Sequence, residues 1–137
     1  MEASSGSFSE DGDDPLARLA ELHPGGVAAL RRAGIVARGC TDAALLDLCL
    51  DHCDALLAGG DPPRAPRDER ERAFVEFAEQ FATSVATVSD AQIDALREHM
   101  DDIDVYRFVE ALYALELTRR VELVAPTVLP RATRGAL

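Results

Sequence analysis

The chain has no lysine: all 14 of its basic residues are arginine. That excludes a lysine nucleophile and a Schiff base. Aromatic residues are scarce, at 5%, so the core is expected to be Leu, Val and Ala with a few Phe. No apolar run approaches the roughly 18 residues of a membrane-spanning helix. The opening Met-Glu and the polar residues after it lack the basic and apolar regions of a secretory signal, and the cytoplasm is the expected location. Positive charge is short overall. At a formal net charge of −11 the chain lacks the basic footprint that displaces counterions from nucleic acid, and it lacks attraction for an anionic membrane. Three cysteines, an odd number, are expected as reduced thiols and not as a disulfide framework.

Several chemical motifs are missing too. No serine sits in a nucleophile elbow, no Gly-rich loop opens a helix after a strand, and no His-Glu-x-x-His occurs. Asp101, Asp102 and Asp104 lack the spacing and glycine of an EF-hand and read as helix-capping acids. No cofactor and no metal is expected.

What is present is helix. Hydrophobic residues make up 47% of the chain, enough for a core, and the Ala- and Leu-rich composition favours helix over strand. There is no strand signal, no fixed-period repeat and no heptad run. At 137 residues the simplest organisation is one domain. The expected layout is a disordered acidic tail over 1–13, a single helical domain over 14–125 and a flexible tail over 126–137. The expected fold is all-α, an antiparallel bundle of about six helices.

The stretch that organises the chain is Thr41–Gly60, TDAALLDLCLDHCDALLAGG. Thr41 or Asp42 can cap its start, and Gly59 and Gly60 can end it. Leu45, Leu48, Cys49, His52 and Leu56 form one stripe, and Leu46, Leu50, Cys53 and Leu57 an adjoining one. Asp47, Asp51 and Asp54 are left as the polar edge. A helix apolar around most of its girth belongs in the centre of a fold.

Before it, Asp14-Pro15 opens a helix with Leu16, Leu19 and Leu22, which His23-Pro24 ends. Pro24 starts a short helix that Gly34 closes, and 35–40 is a connection. After it, Gly59–Arg67 holds three prolines and two glycines and cannot be helix; it reads as an ordered turn-back loop. Asp68 with Glu71 opens a helix with Phe74, Phe77, Ala78, Phe81 and Val85 inward. Ser89 with Gln92 is a second capping box, ahead of Ile93, Leu96 and Met100. One of Asp101, Asp102 and Asp104 caps a last helix that buries Val105, Phe108, Val109, Leu112, Leu115 and Leu123 and stops at Pro126.

Residues 15–124 resemble the alkylhydroperoxidase-like, or carboxymuconolactone decarboxylase-like, family. The likeness lies in His23-Pro24, in Glu71-Arg72-Ala73 through Phe77-Ala78-Glu79, in Val88-Ser89-Asp90, in Ala95-Leu96-Arg97, and in Arg119-Arg120-Val121 where the family carries Asn-Arg-Leu. The resemblance implies a helical, homo-oligomeric protein, a trimer or hexamer. Peroxidases of that family carry a Glu, a spaced Cys-x-x-Cys and a following His. Laid on this chain without gaps, the acid falls on Asp47, the cysteines on Gly59 and Pro62, and the histidine on Pro66. Only the acid survives, one methylene shorter, so the resemblance implies the fold without carrying the redox motif.

The candidate site residues are therefore Asp47, Cys49, His52 and Cys53. Cys49 and Cys53, four apart on one helix face, have Cβ atoms about 5–6 Å apart, too far for an unstrained disulfide. A thiol in an apolar stripe is a small hydrophobe. Cys49, His52 and Cys53 also offer three ligands, with His23 or Cys40 as a fourth, although a structural zinc site draws its ligands from two elements. Three functions follow in order of preference. The first is a divergent family member without peroxidase activity, acting by oligomerisation or a bound partner. The second is a hydroperoxide reductase using Cys49 and Cys53, and the third an unrelated acidic helical adaptor.

Overall fold

The structure, a computed structural model, describes residues 14–129. Among these the protein is all-α, with six α-helices and no strand. They are α1 (Ala17–Leu22), α2 (Pro24–Cys40), α3 (Ala43–Ala58), α4 (Glu69–Ser84), α5 (Asp90–Arg97) and α6 (Asp102–Val128), with a 3₁₀ turn at Val85–Thr87. Residues 34–116 pack as one unit, and 14–33 with 117–129 as another. The tail expected over 1–13 lies outside the described residues, as does most of the one over 126–137.

Within 34–116 the core is arranged around α3. The Asp42 side chain accepts from the Leu45 backbone N–H, fixing its start, and Gly59 ends it in the left-handed conformation at φ 77°. Between them Leu45, Leu46, Leu48, Cys49, Leu50, His52 and Cys53 are buried. Leu56 and Leu57 are not, so the two apolar stripes leave the core in the last turn. Three elements following α3 supply the surrounding apolar side chains: Phe74, Phe77 and Ala78 from α4, Leu96 from α5, and Val105, Phe108 and Leu112 from α6. Phe74 meets Phe108 edge to face, with ring centroids 4.7 Å apart. Each fully buried Leu or Phe here contributes about 1.5–3 kcal/mol relative to exposure.

The caps after α3 follow their sequence signatures. Asp68 accepts from Glu71 N, and Ser89 and Gln92 complete a reciprocal capping box. Asp101 accepts from the Asp104 N–H ahead of α6. In the smaller unit Leu16, Val27 and Ala125 form a cluster with Leu19, Ala20 and Val121. Asp14 accepts from Leu16 N and pairs with Arg31. His23 Nδ1 accepts from the Gly26 N–H, capping α2 behind Pro24.

Three expectations change. Gly34 does not close α2, which runs on to Cys40. A Cβ at Gly34 would stand 3.2 Å from Leu115 Cδ2, so this glycine permits a close approach of α2 to α6 in mid-helix. Val85 is 60% exposed and Leu123 62% exposed, so neither belongs to the core. Helix α6 continues through Pro126 to Val128. Proline removes one backbone donor, and this close to a helix end few later turns depend on it.

Replacing Gly59 by Ala forces a Cβ into the left-handed region and is expected to lower stability by about 1 kcal/mol. Gly60→Ala, where the φ is ordinary and nothing lies within 4 Å, is expected to be neutral. Urea midpoints of the two variants measure the difference, and equal midpoints would contradict it.

Candidate functional site

The four candidate residues share α3 but not one environment. Asp47 points outward and is ion-paired with Arg38 of α2. Cys49 has no exposed surface and Cys53 almost none. Cys53 Sγ donates to the Ala78 carbonyl oxygen of α4 at 3.4 Å. All three cysteines are free thiols, with Cys40 exposed at the end of α2. Burial pushes the Cys49 thiol far above its ordinary range, and the neighbouring Cys53, Glu71 and Glu79 push the same way. Charging it would place an anion in an apolar core beside other acids.

His52 is also buried, and it is tied down. Its Nε2 lies 2.8 Å from the Arg64 carbonyl oxygen. A carbonyl oxygen only accepts, so Nε2 carries the proton. Nδ1 faces Glu79 Oε2 at 3.6 Å. Both ring nitrogens are thus turned to the α3–α4 loop and to α4, which leaves the imidazole as an anchor for the loop. Among the described residues no group of three or more His, Cys, Asp or Glu is placed to hold a metal ion.

The loop itself carries a polar network that sequence reasoning missed. Arg64 meets Glu71 with a two-pronged contact of 2.9 and 3.0 Å, and the Arg67 backbone N–H donates to Glu71 Oε1 at 2.8 Å. The Arg64 guanidinium first, then the Arg67 N–H, hold the Glu71 carboxyl down at about 2. Glu71 reads in the sequence as the partner of a capping box with Asp68. In the structure it reaches one residue further back and closes the proline-rich loop. The signal that could have shown this is an arginine flanked by prolines seven residues before an acid at a helix start.

Among the described residues, two of the depressions lie elsewhere. Thr41, Asp42, Arg70, His99, Asp101 and Asp104 line a polar cleft of about 520 Å³. Arg70 and Asp42 pair across it at 3.0 Å, and the Leu45 N–H, then Arg70, lower the Asp42 pKa. An aliphatic groove of about 340 Å³ lies in the smaller unit. Neither is lined by Asp47, Cys49, His52 or Cys53.

No family model, no curated protein and no solved structure matches the chain. No helix among the described residues is long and apolar enough to cross a membrane.

A carboxyl whose pKa is lower in the folded state stabilises the fold above its unfolded value, and this is lost as pH falls through the folded value. Glu71 is therefore expected to contribute fully above about pH 4.5 and to lose its contribution on descent to about 2. The gap in urea midpoint between wild type and Glu71→Gln should be constant near neutrality and close through that window. A gap independent of pH would contradict the loop contact.

Proposed function

We propose that the protein is a non-catalytic helical member of the alkylhydroperoxidase-like kind, acting through self-association or a bound protein partner. The observation that carries this reading is the burial of Cys49 and Cys53 within α3. A peroxidatic thiol must reach its oxidant and ionise near neutral pH. Cys49 is closed to solvent and disfavoured as a thiolate. Asp47, the one residue that aligns with the family's catalytic acid, is engaged by Arg38 on the outer face. His52 is engaged by the loop. Nothing in this arrangement relays a proton to a thiol.

The family likeness makes a trimer or hexamer of this chain the expected assembly. Exposed apolar side chains on α6, among them Ile103, Tyr106 and Tyr113, are consistent with an interacting surface.

The test is the intact mass of reduced protein titrated with an organic hydroperoxide, with Cys49→Ser and Cys53→Ser variants as controls. No mass change at modest excess is expected, apart from oxygen addition at Cys40. Rapid loss of two hydrogens in the wild type, abolished in both variants, would establish a redox pair and overturn the proposal. Light scattering on the same samples reads the assembly.

A further inference from the structure

Helix α5 and the turn into α6 concentrate negative charge. Asp90, Asp94 and Glu98 follow one another at steps of four, so they stand on one helix face, and all three are exposed. Asp101, Asp102 and Asp104 carry the acidic run into the start of α6 and are exposed as well. The unit around them adds to the field, with eighteen acids against seven arginines over residues 34–116.

Little positive charge answers this run. Arg97 reaches Asp102 at 2.9 Å and Asp94 at 3.5 Å, and Arg107 reaches Asp104 at 3.7 Å. Among the described residues no arginine pairs with Asp90, Glu98 or Asp101. Asp90 at least stands in the first turn of α5, where the helix dipole favours an acid. Glu98 stands at the other end of α5, where the dipole opposes one. Like charges four apart on a helix destabilise it, and Asp94 has such a neighbour on each side.

The ties that hold α5 down are few. At eight residues it is too short to be stable by itself. It has the capping box of Ser89 and Gln92, one fully buried side chain, Leu96, and Ile93 packed partly buried against the core. Salt acts unequally on the charges. The screening length is about 30 Å at 0.01 M and about 3 Å at 1 M. The Arg97–Asp102 contact at 2.9 Å lies within even the shorter length. Carboxylates one helical turn apart, with Cβ atoms about 5–6 Å from each other, do not. Added salt therefore removes the repulsion and leaves the clasp.

We propose that α5 is an ionic-strength switch in the fold: at low salt the repulsion along Asp90, Asp94 and Glu98 loosens it from the core, and at high salt it docks. The acids act here as a lever and not as a binding site. The inference does not depend on the reading of the α3 thiols, so either can fail alone.

The experiment is amide hydrogen exchange of the full chain, read by mass on peptides from α5 and α3, in KCl at 10 mM and at 1 M. Each rate is taken against the urea-unfolded chain at the same salt. Protection of α5 is expected to rise about fivefold with salt, the effect of two like-charge pairs four residues apart, and that of α3 to rise less. Glu98→Arg should give α5 its high-salt protection already at 10 mM, with Glu98→Gln in between. Glu98 is exposed, so α3 should be as protected at 1 M in both variants as in the wild type; if one variant fails this check, the other decides. Protection of α5 that is flat or falls with salt overturns the proposal. So does a rise shared equally by α3, which would be a general effect on the whole unit, or a salt response that both variants keep. A tenth of a millimolar MgCl2 added at 10 mM KCl hardly changes the ionic strength and should leave α5 unchanged. If it protects α5 as 1 M KCl does, the acids bind a cation, and the proposal is overturned equally.

Discussion

Between Leu45 and Cys53, seven side chains of α3 are withdrawn from water together, and the unit of residues 34–116 is built to meet that demand. One helix cannot bury so wide a face against a single neighbour. Phe74, Phe77 and Ala78 come from α4, Leu96 from α5, and Phe108 and Leu112 from α6, all among the most buried residues of the protein. Ala37 completes the cluster from α2. The same packing that stabilises the helix withdraws Cys49 and Cys53 from solvent. A cysteine in that position is a space-filling side chain whose charged form the surroundings oppose.

Burial also decides the role of His52. A buried imidazole needs partners for its polar atoms, and here the nearest are a loop carbonyl and Glu79. A loop of three prolines and two glycines has no helical hydrogen bonds to order it. It is fastened from two sides instead, by His52 at the Arg64 carbonyl and by Glu71 at the Arg64 guanidinium and the Arg67 N–H. The helix boundary, the loop and the buried histidine thus form one arrangement, and each contact has a structural reason that requires no substrate.

The helical class and the central place of α3 were legible because their signals are local. Asp42, Asp68, Ser89 and Gly59 cap or end helices where their chemistry says they should. What was not legible depends on distant contacts. Gly34 reads as a stop, but the approach of Leu115, 81 positions later in the chain, makes it a mid-helix residue. Val85 continues an apolar stripe in sequence yet falls in a 3₁₀ turn, where the helical phase is lost. The candidate residues were legible as a group, since spacing alone puts them on one helix. Their separation into an outward Asp47, two sealed thiols and an anchored His52 is set by neighbours from α2, α4 and the loop, which no spacing on α3 encodes.

The central claim is that α3 is a sealed strut whose thiols meet solvent only when the unit opens. The direct measurement is the rate at which Cys49 and Cys53 are alkylated, resolved from Cys40 by peptide mass, as urea is raised through sub-denaturing concentrations. The account predicts that both rates are negligible in water and rise with urea along the slope of global unfolding. Cys40 should react fast at every concentration. Alkylation of Cys49 or Cys53 in water at a rate near that of Cys40, and indifferent to urea, would show an accessible thiol centre and contradict the account.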